Sequence, residues 1–260
     1  MKRAAAFAVA ALIAAGPVLA QDAAPTPAPE LDAPDWDVIE RDGSLIATVA
    51  YDPGLIVGVR CRAWDLDVFL TNLPPSAEEW IRPLEIAGEA GDFYTENWVA
   101  TTDPGTAFNL LPARFARALR EGGVLQVRAP GPDGRRVRYS MDLPASNAAI
   151  DQVLTACRKP LVDPRDELLE AAGPVTSTPN GRDWVRQPRP QFPSTGTSRG
   201  SATLSCLAEP TGELSQCVVE SEYPRDRGFG RAGLRSVGNA RVSPAEDTMM
   251  VIFTIRYAVR

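Results

Sequence analysis

Runs of apolar residues separated by turn residues predict that most of this chain folds into β-strands. Val, Ile and Leu are concentrated in residues 44–51, 55–61 and 66–70, and Asp52-Pro53-Gly54 separates the first two runs. Short apolar runs bounded by Gly, Pro, Asn and Asp are typical of antiparallel strands. The same pattern predicts further strands at residues 82–87, 94–101, 124–129, 136–143, 201–206, 214–219 and 248–257.

Apolar residues at helical spacing interrupt these strands. Residues 111–119 carry apolar side chains three and four positions apart, and Gly122-Gly123 ends that helix. Residues 146–157 carry a second apolar stripe, which finishes on Cys157. Shorter helices are predicted at residues 163–172 and 228–237. The predicted fold class is therefore α+β, with mostly antiparallel strands.

The composition divides the chain into segments with different roles. Residues 1–20 join a charged start to an apolar run and a small-residue cleavage box, which predicts a secretory signal peptide. A retained anchor is the alternative, although Gly16-Pro17 interrupts the apolar run; after cleavage no stable membrane insertion is expected. The remaining predicted segments are a Pro/Ala-rich tether (21–35), a β-rich N-terminal domain (36–160), a linker with a short helix (161–190) and a C-terminal domain of ββαβ order (191–260).

Charge and composition argue against several classes of function. The chain has 33 acidic and 27 basic residues, which argues against nucleic acid as a partner. It has no histidine, so it lacks the commonest general base and the commonest metal ligand. No glycine-rich nucleotide motif and no Ser-x-x-Lys nucleophile occurs. The sequence therefore predicts a protein that is not an enzyme, with no catalytic residue, no metal and no cofactor.

The four cysteines are predicted to form two disulfides, because exported thiols are oxidised. Cys206 and Cys217 flank the turn at residues 209–213 symmetrically, so they should face each other across a hairpin. Cys61 and Cys157 remain for a second bridge, and the helical stripe turns Cys157 toward the core. Free buried thiols and a zinc site are the alternatives, but zinc sites use a close Cys-x-x-Cys pair that this chain lacks.

Carboxylate chemistry is the enzymatic alternative that the composition leaves open. Asp65 and Asp67 lie on one face of a predicted strand, and Asp35 and Asp37 flank Trp36. Two carboxylates beside an aromatic ring could serve a periplasmic hydrolase acting on sugars. Period-two alternation instead predicts that Asp65 and Asp67 face solvent, opposite the apolar positions of the same strand. We favour this second interpretation.

The tryptophans divide into two groups by position. Trp36, Trp64, Trp80 and Trp98 lie in the N-terminal domain, where we expect them to anchor the core. Trp184 lies in the polar linker among arginines. It either docks onto a domain surface or serves as an exposed contact residue.

The end of the chain carries a recognisable order of motifs. Phe192-Pro193 precedes two alternating strands with one cysteine each, and the small-residue helix at residues 228–237 follows. Arg241-Val242-Ser243-Pro244 then leads into the apolar strand at residues 248–257. This order resembles the C-terminal domain of the TonB family, the periplasmic partner of outer-membrane transporters. The resemblance implies a compact layer of sheet and helix that acts by protein contact.

The TonB resemblance also implies a binding mode. In such domains the terminal strand lies at a sheet edge and pairs with an extended peptide of an outer-membrane transporter. The matching residues here, which are the predicted partner-binding residues, are Met250, Ile252, Thr254, Arg256 and Ala258. The expected location is the periplasm of a Gram-negative envelope, and the expected partner is an envelope protein. An edge covered by the other domain, or by a second copy in a homodimer, is the structural alternative.

A second resemblance concerns the N-terminal domain. The block from Trp36 to Cys157 is similar to small secreted β-rich domains of the invasion-associated locus B kind. In those domains a strand cysteine and a cysteine that closes a late helix also recur. No functional residue is transferred from this resemblance.

Overall fold

The computed structural model describes residues 35–51, 54–78, 80–194 and 196–259. The predicted signal peptide and nearly all of the predicted tether lie in residues 1–34, outside these ranges. The described residues belong to one compact unit, and their fold is α+β with mostly antiparallel strands. None of the described helices is long and apolar enough to cross a membrane.

The N-terminal lobe, which we define as the described residues from 35 to 171, is built on a nine-stranded antiparallel sheet. Its strands are β1 (Asp37–Arg41), β2 (Ser44–Tyr51), β3 (Leu55–Arg62), β4 (Asp65–Thr71), β5 (Ile81–Ala87), β6 (Tyr94–Ala100), β7 (Ala107–Asn109), β8 (Gly123–Pro130) and β9 (Arg136–Leu143). Their spatial order is β1-β2-β3-β4-β7-β6-β5-β8-β9. The three-residue strand β7, which the sequence pattern missed, therefore joins the two halves of the sheet.

Helices α1 (Pro112–Leu119), α2 (Ala148–Ala156) and α3 (Arg165–Ala171) complete the N-terminal lobe. The side chains of Val59 in β3 and of Ile150 and Leu154 in α2 are fully buried. Phe115 of α1 packs edge-on against Trp98 of β6, with ring centroids 5.2 Å apart. Each large apolar side chain buried in this way contributes roughly 1.5–3 kcal/mol relative to exposure.

A disulfide between Cys61 and Cys157 ties β3 to the C-terminal end of α2. The two Cα atoms are 5.4 Å apart, and the bridge spans 96 residues of sequence. On the chain-entropy model, closing a loop of this length stabilises the fold by about 4–5 kcal/mol. The pairing is the one that the sequence predicts.

The C-terminal lobe, defined as the described residues from 184 to 259, contains a smaller sheet and one helix. Its elements are β10 (Trp184–Arg186), β11 (Arg199–Ala208), β12 (Leu214–Tyr223), α4 (Phe229–Val237), β13 (Arg241–Val242) and β14 (Met249–Ala258). Strands β12, β11 and β14 form an antiparallel sheet in that order, and β10 pairs with β13. A disulfide between Cys206 and Cys217 joins β11 to β12, as predicted.

Small residues allow α4 to lie close to one face of this sheet. A Cβ atom on Gly230 would meet the side chain of Val219, and one on Gly233 would lie 3.1 Å from Leu204. The carboxylate of Glu222 accepts the backbone N–H of Gly230 at 2.6 Å and so satisfies a free donor of the first helical turn. The helix and sheet are therefore held together by packing and by one side-chain cap.

The second face of the C-terminal sheet packs against the N-terminal lobe. Met250 and Ile252 of β14 are buried in an apolar cluster whose other fully enclosed members are Val99, Leu110, Leu111, Leu169 and Val175. Around this cluster, the hydroxyl of Ser221 donates to the carbonyl of Leu110 at 2.8 Å. Arg165 of α3 donates to Ser205 at 2.6 Å and to Glu220 at 2.5 Å. The two lobes therefore share a core, which is surrounded by polar contacts.

Candidate partner-binding site

The outer edge of β14 is the surface on which the TonB resemblance places a partner. All ten residues of β14 pair with β11 on one side, from Met249 opposite Ala208 to Ala258 opposite Arg199. On the other side, Thr176 forms an isolated parallel bridge with Phe253, and the Thr254 N–H donates to the Thr176 carbonyl at 2.7 Å. The middle of this edge is therefore occupied by an extended segment of the same chain.

The segment at residues 174–178, which we call the covering segment, is fixed by several contacts. Val175 is buried in the shared core, and its carbonyl accepts a hydrogen bond from the side chain of Asn97 at 2.8 Å. The Asn180 amide donates to the carbonyl of Pro174 at 2.8 Å. The Thr176 hydroxyl donates to the carbonyl of Thr178 at 2.8 Å. The covering segment is thus anchored to the N-terminal lobe as well as to β14.

The predicted partner-binding residues divide into two groups. Arg256 and Ala258 are exposed, as a binding edge requires. Met250, Ile252 and Thr254 are buried, with Thr254 only 4% exposed. The side chains of these three residues therefore do not form an open surface for a partner. Met250 and Ile252 belong to the core shared with the N-terminal lobe, and the hydroxyl of Thr254 lies 3.0 Å from that of Thr203.

For Trp184 the sequence left two alternatives, docking onto a domain surface or exposure as a contact residue, and the structure shows docking. Its ring packs edge-on against Phe253 of β14, with centroids 4.9 Å apart. The residue is half-buried, so it docks onto the C-terminal lobe. In the N-terminal lobe, Trp36 and Trp98 are core residues, whereas Trp64 is 60% exposed and contradicts the expectation of core anchoring. The guanidinium of Arg158 lies 4.3 Å from the Trp64 ring.

Asp67 is buried, which corrects the prediction of a solvent-exposed face. Its side chain is 4% exposed and accepts a hydrogen bond at 2.7 Å from Arg60. Arg225 of the C-terminal lobe also donates to Asp67, and it donates to the carbonyl of Leu66. The alternation of buried and exposed side chains does not hold in this strand, because both faces of β4 are covered. The core covers one face and Arg225 covers the other. Asp67 therefore links the lobes through two arginines.

Asp65 lies in a different environment from Asp67. Burial raises the pKa of Asp65 to about 6, and a hydrogen bond with Asp226 acts in the same direction, while Arg225 lowers it. Asp35, by contrast, accepts the backbone N–H of Trp36 at 2.7 Å, and Asp37 is exposed in β1. The structure thus does not bring the sequence-predicted carboxylates together around one cleft.

Metal binding finds no support in the described part of the chain. There, no group of three or more histidine, cysteine or acidic side chains lies close enough to hold an ion. The four cysteines are all used in disulfides. The lobe junction itself carries ion pairs within the chain, such as Arg165 with Glu220 and Arg225 with Asp67.

Two features of the site, the covering segment and the role of Arg225, have no signal in the periodic pattern of the sequence. Neither belongs to a run with period two or period 3.6, so no periodic pattern marks it. One signal for burial was present, because β14 carries Met250 and Ile252 on the face opposite Val251 and Phe253. A strand that is apolar on both faces is typical of burial on both sides.

Comparison with known proteins adds no assignment. No protein-family model matches the chain, and no curated protein matches it.

Proposed function

We propose that this chain is an exported protein-binding module of the Gram-negative cell envelope, located in the periplasm and similar in its C-terminal lobe to the TonB family. Its β14 edge receives an extended segment of an envelope partner, such as an outer-membrane transporter. The two disulfides are consistent with this location, because such bridges persist in oxidising compartments. The chain order β11, β12, α4, β14, with β14 at an edge of its sheet, supports the proposal.

One observation carries the proposal. The Thr254 N–H donates to the carbonyl of Thr176, so the outer edge of β14 already pairs with an extended segment. Backbone pairing of this kind is independent of sequence, and a partner strand could therefore use the same donors. Past Thr254 the edge continues through Arg256 to Ala258, both of which are exposed. A partner would start at this exposed end and displace the covering segment as it extends along β14.

The test is photocrosslinking in cells with the probe amino acid at Arg256. A matched control places the probe at Val218, which is 37% exposed on β12, the opposite edge of the same sheet. We expect an envelope protein to be captured from Arg256 and not from Val218. Equal capture at both positions would contradict pairing at β14.

A proline substitution tests whether capture depends on backbone pairing. The Thr254 N–H points to the outer edge, so by alternation the Arg256 N–H points there too, and Pro at 256 would remove an outer donor without affecting the β11 ladder. With the probe moved to Ala258, we expect Arg256→Pro to lose the captured partner and Arg256→Ala to keep it. Retention by both variants would exclude strand pairing.

A second candidate function is supported by the burial of Met250, Ile252 and Thr254. In this alternative the covered edge is purely structural, and the protein is an envelope module whose lobes pack together. Crosslinking from Arg256 would then capture only the protein's own N-terminal lobe or a second copy of the chain. The carboxylate-dependent hydrolase is less well supported, because Asp67 is enclosed by Arg60 and Arg225.

A further inference from the structure

A cavity of about 280 Å³ lies beside the covering segment, between strand β6 and helices α1 and α3. Its apolar lining includes Leu111, Leu169 and Val175. Tyr94, which is 51% exposed, also lines it, so the cavity reaches the surface. Ligand sites are commonly enclosed, mostly apolar spaces with a few placed polar groups. The most deeply buried of its polar side chains is that of Glu96.

Glu96 is held in a fixed orientation at this cavity. The residue is only 8% exposed, and its Oε2 accepts the indole N–H of Trp98 at 2.9 Å and the Asn109 amide at 3.3 Å. Asn109 is itself fixed, because its side-chain oxygen accepts the backbone N–H of Leu111 at 2.7 Å. Oε1 has no hydrogen-bond partner among the described residues, and Glu96 lines the cavity. One carboxyl oxygen is therefore oriented by the protein and the other is available to a ligand.

The charges around the cavity favour a positive ligand. Besides Glu96, the charged residues that line it are Arg114 of α1 and Glu170 of α3. These two form an ion pair of 3.1 Å, so their formal charges cancel in the sum. The net charge is therefore the single negative charge that Glu96 carries when it is ionised. Because Oε1 is not among the fully enclosed atoms that lack a partner, an incoming donor can reach it from the cavity.

We propose that this cavity binds an organic cation, a primary ammonium group on a small apolar body, with Glu96 Oε1 accepting its hydrogen bond. The apolar walls would enclose the body of the ligand, and the half-exposed ring of Tyr94 would lie beside it. This site is separate from the β14 edge and does not depend on the proposed strand pairing. It does share Pro174 and Val175 with the covering segment.

Binding must be linked to the protonation of Glu96. Burial raises the pKa of Glu96 to about 7, against the lowering effect of the hydrogen bonds from Trp98 and Asn109 and of the charge of Arg114. A cation binds the carboxylate form, so at lower pH the carboxyl must first release its proton to solvent. Affinity should rise about tenfold between pH 6 and pH 8 and fall again at higher pH, where the ammonium group loses its own proton. Tyr94, Arg114 and Glu170 are the other titratable groups at the cavity.

The experiment uses the full chain and benzylamine as the probe, with benzyl alcohol as the neutral probe of the same size. Calorimetry at pH 8 should show benzylamine binding at least tenfold more tightly than benzyl alcohol. The indole N–H resonance of Trp98 should shift on binding, since this group touches the same carboxyl. Repeating the titration at pH 6 in buffers of different ionisation enthalpy should show release of close to one proton for each ligand bound.

Two variants separate the proposal from a general effect of charge. Glu96→Gln keeps an oxygen for Trp98 and Asn109 but removes the negative charge, so benzylamine affinity should fall at least tenfold. Glu167→Gln, at an exposed position of α3, should leave it unchanged. Equal binding of benzyl alcohol and benzylamine would overturn the proposal. So would unchanged affinity in a folded Glu96→Gln protein, or absence of benzylamine binding to the native chain.

Discussion

At the scale of single residues, burial of polar groups determines how this protein responds to pH. Glu96 has an ordinary pKa of 4.5 and a folded pKa of about 7. Below pH 4 the carboxyl is protonated in both folded and unfolded chains. Between pH 4.5 and 7 the unfolded chain releases the proton while the folded chain keeps it, so stability falls as pH rises. Above pH 7 both forms are ionised and the loss is complete.

We therefore expect Glu96→Gln to remove a pH-dependent penalty on the order of 3 kcal/mol. The free energy of unfolding of the variant should fall less than that of the native chain between pH 5 and pH 8. Urea unfolding at each pH measures the difference, in which contributions from other carboxyls cancel. If the free energy of unfolding depends on pH in the same way for both proteins, the pKa of Glu96 is not raised by folding. Glu167→Gln, at an exposed position, should follow the native curve.

Glycine at position 200 is required by close packing. A Cβ atom there would overlap the ring of Phe229, which is fully buried. The ring cannot move away easily, because Phe192 and Tyr257 pack against it with centroids 5.6 and 4.9 Å away. We expect Gly200→Ala to cost about 1–3 kcal/mol through overpacking. At Gly238 a Cβ would meet nothing within 4 Å. Gly238→Ala should therefore change the free energy of unfolding by less than about 0.5 kcal/mol.

At the scale of elements, the covering segment and β14 form a pair that can separate. Val175 supplies the buried apolar contact of the segment, and Thr176 supplies the hydrogen bond to Thr254. Val175→Ala should cost about 1–3 kcal/mol and loosen the segment before the rest of the fold. Local loosening of the segment should appear as faster hydrogen exchange of the Thr254 amide. The amide of Phe253, which faces β11, should change little. Equal acceleration at both amides would indicate global destabilisation instead.

The pattern of apolar residues predicted individual elements well and their surroundings poorly. Strands β2 and β9 begin and end at the residues expected from sequence. β7 was missed because three residues are too few to establish a period. Asp67 was placed in solvent because alternation describes a strand with one covered face, and β4 is covered on both. Contacts such as Arg225 with Asp67, 158 residues apart, leave no local pattern.

The same limit applies to the candidate site. The sequence indicated that residues 248–257 form the last strand, and β14 (Met249–Ala258) does lie at an edge of its sheet. It did not indicate that residues 174–178 cover the middle of that edge, since the segment has neither strand nor helix period. Glu96 was not recognised because a single acidic residue in a predicted strand carries no sign of burial. Burial depends on which distant elements pack above it.

At the scale of the whole molecule, the shared core and its polar surroundings should make the two lobes unfold together. Met250 and Ile252 of one lobe are buried against Val99 and Leu110 of the other. Arg165 and Arg225 add ion pairs across the same junction, with Glu220 and Asp67 respectively. An interface that is both apolar and hydrogen-bonded couples domains more tightly than a polar linker does. We therefore interpret the lobes as one cooperative unit.

The ion pair of Arg225 with Asp67 tests this coupling. Arg225→Ala would leave the buried carboxylate of Asp67 with Arg60 alone and the carbonyl of Leu66 without this donor. We expect the free energy of unfolding to fall by about 2–3 kcal/mol. This is less than the cost of a buried charge with no partner at all. Arg41→Ala, which breaks an ion pair with Asp42 whose side chains are 78% and 84% exposed, should cost almost nothing. Tryptophan fluorescence and circular dichroism should give one coincident transition for the native chain. If the Arg225→Ala and Arg41→Ala variants have the same free energy of unfolding, the junction does not depend on the Arg225–Asp67 ion pair. The apolar cluster alone would then join the lobes.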